Sequence, residues 1–258
     1  MAEGTPDARY IDLFKVKYDY HNVKALLKAE AVGTAPDRML MDMGRVSTAE
    51  LAEAVRSREL DGLPETLAAA VAEAREVLDT TRDPQLSDIV LDRWCYRDMA
   101  ALAEETGSAF LRGYVAVQVD AVNLRTAVRT LRMGKGADFL LGALLEGGDL
   151  APDAVAKAAS SGAAGLRELY GATRFRDAAE AGAEALKGGP LTAFEKLCDD
   201  AVGDYLAGAQ SVPFGEAPLV SYLAARETEY TNLRILLMGR AAGIDPAVIR
   251  TRLRASYV

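Results

Sequence analysis

Apolar residues recur at helical spacing, every three or four positions, along most of this 258-residue chain. Runs in which β-branched and polar residues alternate, the pattern of a half-buried strand, are not evident in the sequence. The strongest pattern has steps of four and three residues, a heptad seam suited to packing against neighbouring helices. This seam consists of Phe110, Tyr114, Val117, Ala121, Leu124, Val128 and Leu131. The pattern therefore predicts an all-α fold.

Local signals place several helix boundaries. Ser47-x-x-Glu50 is a capping box, and Asp245-Pro246 puts an N-cap residue before a proline at the first helical position. Apolar spacing predicts helices over residues 64–78 and 86–105 as well. Glycine and alanine between residues 158 and 190 predict shorter helices, and the Gly188-Gly189-Pro190 run ends them.

One short motif occurs three times along the chain. An acid is followed three residues later by asparagine, then an aliphatic residue and a basic residue, and glycine and a new helix start come downstream. The copies are Asp19-x-x-Asn22-Val23-Lys24, Asp120-x-x-Asn123-Leu124-Arg125 and Glu229-x-x-Asn232-Leu233-Arg234. Repetition at long period indicates related structural units. We expect three helical repeats within a single domain, at about residues 1–80, 81–187 and 188–258, with the first truncated.

The motif favours a structural role over catalysis. On a helix, an acid and an asparagine three residues apart point the same way, at the edge of the buried seam. There an asparagine can bond exposed backbone groups of a neighbouring helix end, and a carboxylate can meet an arginine. We therefore expect these side chains to fix how the helices of each repeat pack. The residues concerned are Asp19, Asn22, Asp120, Asn123, Arg125, Glu229, Asn232 and Arg234.

Composition narrows the class of protein. Charged residues make up 26% of the chain and are scattered, so no apolar run is long enough to cross a bilayer. The first dozen residues lack the pattern of a secretory signal, which predicts a cytoplasmic protein. The net charge of −8 argues against binding to nucleic acid or to anionic lipid. Cys95 and Cys198 are expected to be buried free thiols, and His21 a packed or capping residue, so no metal or cofactor site is predicted.

Two further patterns leave alternatives open. Arg125, Arg129, Arg132 and Lys135 form a basic stripe that either receives an acidic partner or is covered by acidic residues of this chain, such as Glu104 and Glu105. The other pattern is Asp199-Asp200-x-x-x-Asp204, which either is a solvated helix face or holds magnesium, as in all-α prenyl-diphosphate enzymes. A further hypothesis for the function of the whole chain is a helical-repeat adaptor protein.

Four stretches of the sequence carry a family resemblance that runs in order over nearly the whole chain. They are KYDYHNVKALLKAEAVG, FLRGYVAVQV followed by the second motif copy, PLVSYLAARETEYTNLRILLMGRAAGI and IRTRLRASYV. Together they resemble the C subunit of the archaeal and bacterial V-type (A-type) ATPase, a relative of the eukaryotic V-ATPase d subunit. In this family an additional N-terminal helical segment generally precedes the first of these stretches, where only about a dozen residues stand here.

The resemblance implies a fold and a function. The fold is a helical funnel of three similar bundles about a pseudo-threefold axis. Its members have no active site or cofactor and sit on the cytoplasmic face of the membrane-embedded proteolipid ring, touching the membrane only through the ring. They join the ring to the central-stalk subunits of D and F type, so that torque passes between the ATPase head and the ion-conducting ring. The motif residues are then packing determinants of the bundles.

Overall fold

The structure is a computed structural model that describes residues 7–36 and 38–255. Within these residues it contains twelve α-helices, one short 3₁₀ helix at Gly208–Ser211 and no strand, which confirms the all-α prediction. The helices are α1 Arg9–Val32, α2 Thr48–Ser57, α3 Glu65–Thr81, α4 Pro84–Glu105, α5 Ala109–Arg132, α6 Ala137–Ala143, α7 Pro152–Ser160, α8 Gly162–Tyr170, α9 Arg176–Leu186, α10 Thr192–Ala207, α11 Glu216–Ala241 and α12 Pro246–Arg252.

The helix starts follow the local signals of the sequence. At α2, the backbone N–H of Glu50 donates to Ser47 Oγ and the N–H of Ser47 donates to the Glu50 carboxylate, each at 3.3 Å. At α12, Asp245 accepts a 2.7 Å bond from the N–H of Ala247, and Pro246 is the first helical residue. The predicted helices over 64–78 and 86–105 correspond to α3 and α4.

The chain divides into two compact units, with the boundary between Ser108 and Ala109. The first unit holds α1 to α4, and the second holds α5 to α12. Each contains its own buried apolar side chains. The division of the sequence into three repeats stays a prediction.

In the first unit, α1 and α4 pack against each other in opposite directions. Lys24 of α1 pairs with Asp92 of α4 at 2.6 Å, and Lys28, one turn later on α1, pairs with Asp88, one turn earlier on α4. The α3 helix also packs against α4. Fully buried side chains from these helices form the core; they include Leu13, Val16, Tyr20 and Val23 of α1, Leu67 and Val71 of α3, and Leu91 of α4.

In the second unit, α5 is the central helix and α10 packs along it in the opposite direction. Arg125 and Arg129 of α5 face Asp199 and Glu195 of α10, so residue numbers rise on one helix as they fall on the other. The core between α5 and its neighbours includes Leu124, Val128, Leu166, Tyr170, Phe175, Phe194 and Cys198. The α11 and α12 helices then pack against α10.

Three smaller expectations concern the two thiols, His21 and membrane-spanning helices. Cys95 and Cys198 are buried and free, as predicted, and burial raises the pKa of each thiol to about 12. Each thiol is therefore protonated at neutral pH and unsuited to nucleophilic attack. His21 is exposed, and its ring nitrogen lies 3.0 Å from the Met39 carbonyl oxygen. Of the described helices, none combines the length and the apolar character that crossing a bilayer requires.

Candidate functional site

The asparagines of the first two motif copies make the same pair of hydrogen bonds. Asn22 donates to the carbonyl oxygen of Met41 and accepts from the N–H of Met41, both at 2.8 Å. Asn123 donates to the carbonyl of Leu145 and accepts from its N–H, again both at 2.8 Å. Both asparagine side chains are fully buried. We term this arrangement, one amide side chain bonded both ways to one backbone residue, an amide clamp.

The third copy repeats the arrangement at a more accessible position. Asn232 donates to the carbonyl oxygen of Arg254 at 3.1 Å and accepts from the N–H of Arg254 at 2.8 Å. Leu145 and Arg254 each stand just beyond a helix end, where backbone groups have lost their helical partners. An amide has both a donor and an acceptor, so it satisfies both backbone groups of such a residue at once.

The carboxylate of the first copy is the centre of a buried ionic network. Asp19 accepts backbone bonds from Arg45 at 2.9 Å and Val46 at 3.2 Å, and the Arg45 Nε donates to it at 2.8 Å. The same guanidinium donates to Asp98 of α4 at 3.0 and 2.6 Å, and the Tyr20 hydroxyl donates to Asp98 at 3.1 Å. Burial opposes the charge of Arg45, but its bonds to the two carboxylates outweigh burial and raise its pKa.

In the second copy, the carboxylate of Asp120 also accepts bonds from the loop backbone, but the charged residue beside it is an acid instead of an arginine. Asp120 accepts from the N–H groups of Asp149 and Leu150, each at 3.2 Å. Arg45 stands four residues after the clamped Met41, and the residue at the same distance from Leu145 is Asp149. Among the described residues no lysine or arginine pairs with Asp120. Burial raises the pKa of Asp120 to about 6; the two backbone bonds oppose the rise and the Asp149 charge adds to it.

Glycine is required where these loops pass the carboxylates. A Cβ atom added at Gly44 would lie 2.1 Å from Oδ1 of Asp19, and one added at Gly148 would lie 2.2 Å from Oδ1 of Asp120. Both distances are far below van der Waals contact. The glycine after each of these motif copies therefore allows the loop backbone to reach the buried carboxylate.

The Asp120 environment gives stability a distinctive pH dependence. Its folded-state pKa of about 6 lies above the ordinary value of 3.8, so the folded protein binds more protons at this group between about pH 4 and 6. The contribution of Asp120 to stability is therefore full below about pH 4 and is lost as pH rises through 6. Relative to Asp120→Asn, we expect the unfolding free energy of the wild type to fall by about 2–3 kcal/mol between pH 4 and 7.

Denaturant unfolding at several pH values measures this difference, because all other groups are common to the two proteins. A carbon-detected NMR titration of the Asp120 carboxyl provides a second readout. A midpoint near 4, with a pH-independent difference in stability, would show that burial does not govern this carboxyl.

The third motif copy has the amide clamp of Asn232, but its acid, Glu229, bonds no loop backbone among the described residues. Glu229 pairs with Arg226 of its own helix, and both side chains are about half exposed. The positions that correspond to Gly44 and Arg45 are residues 257 and 258, which lie outside the described residues. Arg234 is exposed, and no acid pairs with it among the residues that the structure describes.

The basic stripe of α5 lies along α10. Arg125, whose side chain is 17% exposed, bonds Glu195 at 3.0 Å and also pairs with Asp199. Arg129 pairs with Glu195 at 2.7 Å, but 55% of its side chain is exposed. Arg132 donates to the carbonyl of Gly189 at 2.9 Å, and the Lys135 ammonium lies 5.4 Å from the ring centre of Phe139. The acids that meet this stripe are thus on α10, whereas the sequence suggested Glu104 and Glu105.

The aspartates of α10 hold neighbouring segments together. Asp199 bridges Arg125 of α5 and Arg254, which follows α12, the latter at 2.7 Å. Asp200 pairs with Lys196 and accepts a 2.8 Å bond from the N–H of Ala255. Asp204 is exposed. In the described part of the chain, no group of three or more acidic, cysteine or histidine side chains is arranged to hold a metal ion.

Sequence reasoning named the motif residues but missed their partners. Arg45 and Asp98 complete the first network, yet neither belongs to a repeated pattern. The clamped residue lies 19 positions after Asn22 but 22 positions after Asn123 and Asn232. Because the first loop is shorter, a comparison at fixed spacing does not align Gly44 with Gly148. Aligning the chain on the glycines would have placed Arg45 opposite Asp149.

These features describe an all-α protein in which long helices hold loops further along the chain by amide groups and, in the first two motif copies, by buried carboxylates. The chain belongs to the ATP synthase (C/AC39) subunit family, whose model matches residues 1–252. The family resemblance seen in the sequence is therefore confirmed.

Several relatives match this chain over most of its length. The C subunit of the V-type sodium ATPase of Enterococcus hirae is 25% identical over 263 residues, covering 100% of this chain and 78% of that protein. The C subunit of the V-type ATP synthase of Thermus thermophilus is 28% identical, covering 93% and 72%. The C subunit of the A-type ATP synthase of Haloferax volcanii is 27% identical, covering 96% and 75%.

Proposed function

We propose that this chain is a non-enzymatic coupling subunit of a V-type or A-type ATP synthase. It joins the rotating central stalk to the proteolipid ring, at the cytoplasmic face of the membrane, and touches the membrane only through the ring. The observation that carries the proposal is the family match over residues 1–252, together with relatives named as the C subunits of such complexes.

The packing suits a part that transmits torque. A coupling element must resist twisting, and close-packed helices with few soft connections do so. In the first two motif copies, a loop downstream of the long helix is held by an amide clamp and by a carboxylate that bonds the loop backbone. Loops are ordinarily the softest parts of a domain, so fixing them stiffens the whole unit.

The exposed part of the basic stripe is our proposed contact with the central-stalk subunits of D and F type. Arg129, Arg132 and Lys135 are exposed, while the Arg125 guanidinium is largely engaged by Glu195 and Asp199. Exposed basic groups steer association with acidic surfaces and set the rate of encounter. We therefore restrict the proposed partner contact to the three exposed residues.

Co-purification from native membranes tests the proposal. The tagged wild-type chain is expected to bring down both the proteolipid ring and the stalk subunits. An Arg129→Glu/Arg132→Glu variant is expected to retain the ring and to lose stalk binding, and Lys157→Glu, an exposed change on α7, serves as the matched control. Recovery of neither the ring nor the stalk with the wild-type chain would refute the coupling role. Unchanged stalk binding by the double variant would contradict only the proposed stalk contact through the basic stripe.

No observation favours the magnesium-dependent prenyl-diphosphate alternative. Asp199 and Asp200, two of the three aspartates it requires, are bound to cations of this chain. Their charges are neutralised within the protein, and their oxygens bond Arg125, Arg254, Lys196 and the Ala255 backbone. The contacts instead give this helix a structural task, which is to hold α12 and the following residues against α10.

A further inference from the structure

The loop between α1 and α2 carries three methionines at alternate positions. The run Met39-Leu40-Met41-Asp42-Met43 holds three of the seven methionines of the chain within five residues. Their side chains are 45%, 40% and 57% exposed, in chain order. We refer to this run as the methionine loop. It presents three thioether sulfurs from one short stretch of backbone.

Two successive residues of α1 hold the backbone of the methionine loop. A ring nitrogen of His21, Nε2, lies 3.0 Å from the carbonyl oxygen of Met39. Asn22 bonds both backbone groups of Met41 at 2.8 Å, in the amide clamp described above. The N–H of Met39 also donates to the carbonyl of Pro36 at 2.7 Å. The backbone of two of the three methionines is therefore held by bonds that use no thioether.

The third methionine lies between two further anchors. Just before Met43, the Asp42 carboxylate accepts a 3.5 Å bond from the N–H of Thr48. Two residues after Met43, the N–H of Arg45 donates to the buried Asp19 carboxylate at 2.9 Å. A binding loop that is already fixed loses less conformational entropy when a ligand binds. The methionine loop is thus organised before any ligand arrives.

The spacing allows the three sulfurs to meet. Fully extended chain spans at most about 3.6 Å per residue, so the Cα atoms of Met39 and Met43 are less than about 15 Å apart. A turn at residues 42–43 shortens this distance. Methionine is unbranched and has three rotatable side-chain bonds, so each sulfur can swing toward the middle of the loop. One small ion is within reach of all three side chains.

The chemistry of the donors selects the kind of ion. A thioether sulfur is a soft and uncharged ligand, which suits Cu(I), whereas magnesium and calcium require oxygen donors. Zinc is bound by thiolate, imidazole and carboxylate groups, and none of these is repeated in the loop. The Asp42 carboxylate adds negative charge within the same five residues, which favours a cation.

We propose that Met39, Met41 and Met43 form a binding site for one Cu(I) ion. The three donors come from a single five-residue loop, so the site is complete within that loop and needs no residue from another segment. His21 and Asn22 contact only the backbone of the loop in the structure and leave its sulfurs available. The site is independent of the coupling role proposed above.

A methionine-detected NMR titration tests which sulfurs bind. The full 258-residue chain is labelled with ¹³C at its methionine methyl groups, and Ag(I) serves as a probe of the same charge and softness that does not change its oxidation state. We expect the methyl signals of the three loop methionines to shift together and to saturate at one equivalent. Met133 and Met238 are 52% and 65% exposed and stand singly in the sequence, so their signals should not move. Equal shifts of all exposed methionines would overturn the proposal.

Competition with the chelator bicinchoninate, under ascorbate and without oxygen, measures the affinity for Cu(I). Met41→Leu keeps a similar volume and the backbone clamp but removes a donor, so we expect it to weaken binding about tenfold or more. Met133→Leu is the matched control and should bind Cu(I) as the wild type does. Urea unfolding of each variant confirms that the fold is retained. Equal affinity of Met41→Leu and the wild type would contradict the site.

The pH dependence of binding separates thioethers from thiols. A thiolate ligand must lose a proton before it binds a metal ion, whereas a thioether carries none. The Cu(I) affinity should therefore change by less than about threefold between pH 5.5 and 8. An affinity that falls steeply toward low pH would assign the ion to Cys95 or Cys198 and refute the thioether site. None of these outcomes depends on whether the chain binds the ring or the stalk.

Discussion

Replacing Arg45 with methionine is expected to lower the unfolding free energy of the α1–α4 unit by about 3–5 kcal/mol. Methionine fills a similar volume but leaves the carboxylates of Asp19 and Asp98 without the cation between them. Asp19 is fully buried and Asp98 nearly so, so solvent cannot replace the guanidinium. Urea unfolding followed by circular dichroism measures the loss.

Arg56 supplies a matched control for this substitution. It also pairs with a carboxylate, Glu53, but its side chain is 74% exposed. Arg56→Met should leave the unfolding free energy nearly unchanged, because exposed ion pairs contribute little. Similar losses for the two variants would mean that the Asp19–Arg45–Asp98 network does not behave as a buried ionic cluster.

Truncation of the second clamp, Asn123→Ala, is expected to lower the unfolding free energy of the α5–α12 unit by about 2–4 kcal/mol. The substitution removes two 2.8 Å hydrogen bonds and leaves the N–H and C=O groups of Leu145 without those partners. Leu145 is 2% exposed, so water does not readily take the place of the amide.

The third clamp is the natural comparison. Asn232 makes the same two bonds to Arg254, but both residues are only partly buried. Asn232→Ala should therefore cost less than about 1.5 kcal/mol, because water can hydrate the released backbone groups. Hydrogen exchange at the Leu145 and Arg254 amides should rank the two substitutions in the same order, with the larger loss of protection caused by Asn123→Ala. Equal losses from the two substitutions would contradict the claim that burial determines how much each clamp contributes to the unfolding free energy.

The helices could be predicted from the sequence because their signals are local. Heptad spacing along α5, the Ser47 capping box and the Asp245-Pro246 start each depend on residues a few positions apart, and the structure agrees with all three. The three asparagines were also identified, because a short motif repeated at long intervals stands out against an otherwise varied helical sequence.

The partners of those residues could not be predicted, because they lie on segments distant in the chain. Asn22 bonds Met41 in a loop that carries no recurrent side chain, since only backbone atoms are used. Arg125 pairs with acids 70 and 74 positions away on α10, and nothing local distinguishes Glu195 from Glu104. Side-chain pairing across a bundle depends on which helices meet, which hydrophobic spacing alone does not specify.

The repeated carboxylates show how one geometry can hold two electrostatic environments. Asp19 and Asp120 both accept bonds from the backbone of the following loop, and a glycine comes close to each. Arg45 neutralises Asp19, whereas Asp149 at the corresponding position adds negative charge beside Asp120. Similar motifs in the sequence thus predict similar backbone contacts, but not similar ionisation.

ATP-driven ion transport by complexes assembled with and without this chain measures the coupling role directly. Without the chain, we expect the catalytic head to continue hydrolysing ATP while ion transport across the membrane falls to background. Adding the wild-type chain should restore transport at an unchanged rate of hydrolysis. Transport that continues at full rate in complexes from which the chain is absent would contradict a role in joining the central stalk to the ring.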